Sequence, residues 1–169
     1  MRNIIKFMIL IIFISSCSTP QQDNTAFDLG LSKFEKNKAI ADKTFDLFID
    51  KDLDGMMNMY SDDVIWSPAN TLDSLSKADL RGGMAGWMEN FESFTFNDRQ
   101  YYPGVDDNFI PDGSVRTYGT WIGKHVSGAE TITKYYSVTQ YNEEGKIEAA
   151  LEWFDVGGVF DQVESQMSQ

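Results

Sequence analysis

Residues 131–154 read Thr-Ile-Thr-Lys-Tyr-Tyr-Ser-Val-Thr-Gln-Tyr-Asn-Glu-Glu-Gly-Lys-Ile-Glu-Ala-Ala-Leu-Glu-Trp-Phe. Two runs rich in β-branched and aromatic residues flank Asn142-Glu143-Glu144-Gly145, a set of turn formers. The stretch therefore predicts an antiparallel hairpin, with strands over Thr131–Tyr141 and Lys146–Phe154. The second run alternates, with Ile147, Ala149, Leu151 and Trp153 set against Glu148, Ala150 and Glu152. Upstream the same two-residue period predicts strands near Thr95–Tyr102 and Val115–Val126. Turn signals at Pro103-Gly104, Pro111-Asp112-Gly113 and Ser127-Gly128 separate them.

Further toward the N-terminus the period changes. Phe34, Ile40, Ala41, Phe45, Phe48 and Ile49 recur near helical spacing and predict a helix over Ser32–Ile49. Asp52 is placed to cap a short second helix reaching Tyr60, and Ser76 to cap a third from Lys77 to about Phe91. Between them Val64-Ile65-Trp66 reads as a short strand closed by Ser67-Pro68, and a last short helix follows Gly157-Gly158. Helices first and antiparallel strands after is an α+β arrangement.

The first residues carry Arg2 and Lys6 and no acid; an apolar run, Phe7–Ile14, and then Ser15-Ser16-Cys17 follow. A basic start, a short apolar stretch and small residues define a secretory signal over residues 1–16. The apolar run falls short of the roughly 20 residues needed to span a bilayer. Ile14-Ser15-Ser16-Cys17 resembles a lipobox, with Ile14 where most have Leu, and this marks Cys17 for lipidation. As the only cysteine in the 169-residue chain, Cys17 cannot form an intramolecular disulfide. Residues 17–31 are expected as lipidated cysteine and polar tether, 32–163 as the domain, and 164–169 as a tail. The chain is then an envelope protein held to the membrane through lipid on Cys17. Ser18 gives no inner-membrane retention signal, which favours the outer membrane.

The net charge is −12, and removing the leader takes away two cations and no acid. That excess excludes nucleic acid, which needs clustered Lys and Arg, and electrostatic docking on anionic lipid. A single histidine and the absence of metal-ligand spacing argue against a metal, and nothing in the sequence calls for a cofactor.

Several segments together resemble the SnoaL-like branch of the nuclear transport factor 2-like superfamily. They are Asp52-Leu53-Asp54-Gly55 with Tyr60-Ser61-Asp62-Asp63-Val64-Ile65-Trp66, then Val115–Gly123, Glu144-Gly145-Lys146-Ile147 and Glu152-Trp153-Phe154-Asp155. The resemblance implies a cone: a strongly curved antiparallel sheet wrapped around helices, with an apolar pocket at its wide end. The superfamily includes cyclases, isomerases, dehydratases and non-catalytic binding domains, so fold alone does not assign function. The ketosteroid isomerase pattern is missing. Ser67 stands at the position of its base, Thr44 or Phe45 at its tyrosine, and Ser137 at its protonated aspartate.

The resemblance also sets the phase of the hairpin. Thr133, Tyr135, Ser137 and Thr139 face the pocket with Glu148, Ala150, Glu152 and Phe154. Glu152 becomes the central carboxylate, whose burial among aromatics would raise its pKa and suit it to acid or base work. The alternative is a solvated rim residue paired with Lys134 or Lys146. His125, at the end of a glycine-rich strand, is a second acid/base candidate or an ordinary exposed histidine. Methionines near Met56-Met57 and Met84-Met88 suit an adaptable apolar lining.

Three functions follow: a domain binding a small apolar or amphipathic molecule, a cyclase, dehydratase or isomerase-type enzyme using Glu152 or His125 with Tyr135, and a structural or partner-binding domain. The same phase turns Ile132, Tyr136, Val138, Ile147, Ala149, Leu151 and Trp153 outward. An apolar strip of that kind marks an interface, and the expected partner is a second copy of the chain, in a homodimer centred near Trp153.

Overall fold

A computed structural model describes residues 24–168. The leader, Cys17 and the start of the tether lie outside the described residues. In chain order the elements are α1 Thr25–Ile49, α2 Leu53–Met57, β1 Tyr60–Ser67, α3 Lys77–Asn90, β2 Phe91–Val105, β3 Pro111–His125, β4 Glu130–Tyr141, β5 Ile147–Trp153 and α4 Val156–Met167. The strands form one sheet in the order β1-β5-β4-β3-β2. All neighbours pair antiparallel except β1 and β5, which are parallel. The sheet curves around the helices in an α+β cone.

The capping expectations hold. Asp52 Oδ1 accepts from the Gly55 N–H at 2.8 Å. Ser76 and Asp79 form a reciprocal capping box at the start of α3, which satisfies backbone donors the first turn leaves free. The core joins Leu47 and Phe48 of α1, Met56 and Met57 of α2, and Leu80, Met84 and Met88 of α3 to Val64, Trp66, Ile147 and Ala150 of the sheet.

Several boundaries differ from the sequence expectation, each for a local reason. Helix α1 starts at Thr25, so residues 25–31 are helical rather than tether. The signal was hidden because Phe27, Leu29 and Leu31 stay exposed. What buries this turn is Gly30, where a Cβ would lie 1.8 Å from the Pro111 carbonyl oxygen. At the other end, α4 continues to Met167, past the expected domain limit. Helix α2 stops at Met57, and Tyr60 already belongs to β1.

Neither proline segment makes the expected turn. Pro103 pairs with Val115 inside the ladder, Pro111 opens β3, and the chain reverses at Asp106–Ile110. Strand β2 lies at the sheet edge, where a residue lacking an N–H is tolerated.

The phase of β5 slips once. Tyr141 pairs with Ile147 but Gln140 with Ala149, which leaves Glu148 as an extra, bulged residue. A bulge puts two residues opposite one and reverses the alternation behind it. Ile147 is therefore buried, at 1% exposure, and Glu148 is exposed, the reverse of the uniform alternation. Beyond the bulge the expected phase is found: Ala150 is buried and Trp153 is 57% exposed.

Candidate functional site

Inside the cone lies a cavity of about 90 Å3. Since a water needs roughly 10–15 Å3 of such space, the cavity has room for a compact organic molecule. Helix α1 contributes Thr44, Phe45 and Phe48; α3 contributes Met84 and Trp87; the sheet contributes Phe94, Trp121, Tyr135, Ser137 and Glu152.

The apolar walls are made of rings. Phe96 stacks on Trp121 with centroids 4.3 Å apart and planes 9° apart. Gly119 makes room for this, since a Cβ there would meet the Phe96 ring at 2.2 Å. Phe45 and Tyr135 both meet this stack edge-on or tilted, at centroid distances of 4.9–6.2 Å. Outside the ring cluster, Arg99 Nη1 bridges Asp42 at 2.7 Å and Asp46 at 2.8 Å, and the Tyr101 hydroxyl donates to Asp42 at 2.6 Å. Asp42 and Asp46 flank Phe45 on α1, so this clamp fixes the helix that carries Phe45 into the cavity. Burial pushes the Asp42 carboxyl up, but the bonds from Tyr101 and Arg99 outweigh it and hold it below its usual range.

One wall is polar. Strand register sets Thr117 beside Ser137, and Ser137 beside Glu152. The Tyr135 hydroxyl donates to Glu152 Oε1 at 3.2 Å. Glu152 is partly buried and is one of the residues that line the cavity. Desolvation raises its pKa from 4.5 to about 7, against the opposing effects of Tyr135 and the Trp66 indole. The Trp66 N–H approaches the carboxylate without reaching hydrogen-bond geometry. Burial, and then the Glu152 charge, push the Tyr135 and Tyr60 phenols well above their ordinary range. Ser137 Oγ and Thr117 Oγ1 are buried with no hydrogen-bond partner. A buried hydroxyl left unpaired costs about 1–3 kcal/mol, and Ser137 is one of the residues that line the cavity, beside Tyr135.

The residues singled out from the sequence divide cleanly. Thr133, Tyr135, Ser137, Thr139, Ala150, Glu152 and Phe154 line this one cavity, and Glu148 does not. His125 sits at the far end of β3, its Nδ1 2.8 Å from Ser127 Oγ and its ring edge-on to Phe91. It is not among the lining residues. Ser67 also lies outside the lining, whereas Thr44, Phe45 and Ser137 belong to it. Sequence reasoning missed the lining rings Phe94 and Trp121 and two residues outside the lining, Phe96 stacked on Trp121 and Thr117 paired with Ser137, because cross-strand neighbours follow from register and not from spacing along the chain. Among the described residues no group of three His, Cys, Asp or Glu side chains could hold a metal, and no helix is long and apolar enough to cross a membrane.

No family model matches the chain, nor does any curated protein sequence. Solved structures do. A protein named as a polyketide cyclase from Xanthomonas campestris pv. campestris superposes with a TM-score of 0.65 at 12% identity, covering 78% of this chain and 98% of that one. The BvnE pinacolase of Penicillium brevicompactum gives 0.62 at 19% identity, covering 79% and 96%. AusH from Aspergillus nidulans gives 0.62 at 17% identity, covering 72% and 85%. Other neighbours carry SnoaL-like cyclase names, so the fold is the SnoaL-like, nuclear transport factor 2-like cone.

Proposed function

We propose that the cone binds a small apolar or amphipathic molecule carrying an oxygen, and that Glu152 exchanges a proton with it. The observation that carries this reading is a lone carboxyl, its pKa raised to about 7, among the largely apolar and aromatic residues that line the cavity. A general acid or base works best with a pKa near the working pH, because both protonation states are then populated. As carboxylate, Glu152 takes a proton from a carbon next to a carbonyl; as acid, it returns one to a neighbouring atom or oxygen. Tyr135 holds the carboxyl in place. This is chemistry of the cyclase, dehydratase or isomerase kind, and neighbours bearing cyclase and pinacolase names are consistent with it.

The test is deuterium exchange at the α-carbons of cyclohexanone in heavy water, followed by proton NMR. The wild-type chain should accelerate exchange, and Glu152→Gln should lose at least 100-fold of the acceleration. Equal rates for both proteins would remove Glu152 from the chemistry and leave simple binding.

We further propose that lipid on Cys17 holds the domain at the outer membrane, on the strength of the leader and Ser15-Ser16-Cys17. Cells fed an alkyne fatty acid should label the wild-type chain and not Cys17→Ala. Equal label on both would reject the anchor.

A further inference from the structure

The ladder between β4 and β5 covers only part of β4. It runs from Tyr136↔Trp153 to Tyr141↔Ile147, while β3 pairs with β4 back to Glu130. The first residues of β4 thus have no strand on their β5 side. Two side chains of α4 take its place. Gln162 accepts from the Ile132 N–H at 2.9 Å and donates to the Ile132 carbonyl at 3.1 Å. Gln166 does the same at Glu130, accepting at 3.0 Å and donating at 2.7 Å. Each primary amide turns one N–H and its carbonyl oxygen to the strand, the same pair a strand residue would offer, and also donates to the backbone of α4, at Gly158 or Gln162.

The same helix forms part of the cavity wall. Val159 is buried and lines it, and Phe160 stacks on the lining residue Trp87 at 5.6 Å while remaining 45% exposed. The helix begins in its own cap, Asp155 accepting from the Gly158 N–H at 2.8 Å. Gly158 is required for that contact, since a Cβ would meet the Asp155 carboxylate at 2.3 Å. The cap travels with the helix, so the joint is the Phe154–Asp155 link after β5. Besides these amide bonds, α4 is held by the buried Val159 and Val163 and by the Trp87–Phe160 stack; it has no backbone ladder to the sheet, so it separates at lower cost than a strand in a continuous ladder.

We propose that α4 is a hinged lid: it swings as a unit about Phe154–Asp155, exchanges its four amide bonds to β4 for water, and so opens the route into the cavity. The lid stands independently of what the cavity holds or does.

Native-state hydrogen exchange on the full-length chain tests the motion. The Glu130 and Ile132 amides should exchange together with those of α4, at least tenfold faster than the amides of the β3–β4 ladder. Gln162→Ala with Gln166→Ala should speed that group by a further tenfold or more and leave the ladder unchanged. Thiol labelling tests the route. Ser137→Cys puts a thiol on the cavity wall, and its modification by methyl methanethiosulfonate, followed by peptide mass, should accelerate by the same factor in the double-alanine background. Exchange of Glu130 and Ile132 at the rate of the ladder would show that α4 is a fixed part of the sheet. Faster exchange with unchanged labelling at residue 137 would show that access lies elsewhere. Either result overturns the proposal.

Discussion

Glu152 takes up its proton at a higher pH in the folded chain than in the unfolded one, about 7 against 4.5, because burial penalises the charge. The sign of the consequence follows. Between those two values the native state binds a proton that the unfolded state has lost, so stability falls as pH rises. The loss is complete once pH passes the folded value, and at 1.36 kcal/mol per pKa unit it reaches at most about 3 kcal/mol. Glu152→Gln keeps the shape and removes the titration. Urea unfolding at pH 5 and pH 8 should therefore show the wild-type chain weakening toward pH 8, and the glutamine variant weakening less and standing above wild type at pH 8. Parallel pH dependence in the two proteins would mean that the carboxyl titrates normally. Tyr135 acts on the same carboxyl with opposite sign, since its hydroxyl favours the charged form.

Elements were legible wherever the pattern was local. The hairpin, the caps at Asp52 and Ser76, and the helical stripe through Phe34, Ala41 and Phe48 all announce themselves along the chain. What stayed hidden depends on contacts distant in sequence. The early start of α1 rests on Gly30 lying against Pro111, and no periodicity marks a glycine. The inward turn of Ile147 rests on a single bulged residue in β5, and alternation read without the bulge assigns that side chain to the wrong face. The prolines misled for a similar reason: Pro103 breaks an interior strand but not an edge one, and edge position is a property of the assembled sheet. The site was half visible. The inward set on β4 and the Ala150–Phe154 end of β5 followed from phase, whereas the row joining Thr117, Ser137 and Glu152 needed the register of three strands.

At the scale of the molecule, the cone has two faces with different chemistry. Its inner face holds the cavity. Its outer face carries a band of rings: Tyr102 against Tyr118 at 5.8 Å, Tyr118 against Tyr136 at 4.8 Å, and Tyr136 stacked on Trp153 at 5.7 Å and 7°. Trp153 and Ile132 remain more than half exposed. A contiguous exposed apolar band suits an interface, and we propose that a second copy of the chain covers it. Sedimentation at micromolar concentration should show a dimer, and Trp153→Glu a folded monomer; a wild-type monomer would reject the pairing. On the inner face one carboxyl sits in a largely apolar cavity with its pKa raised to about 7. Titrating the Glu152 carboxyl carbon by 13C NMR, assigned against Glu152→Gln, measures that pKa directly. The midpoint should lie near 7 and move upward in Tyr135→Phe; a midpoint near 4.5, unmoved by Tyr135→Phe, would make Glu152 an ordinary carboxyl and remove it from the chemistry.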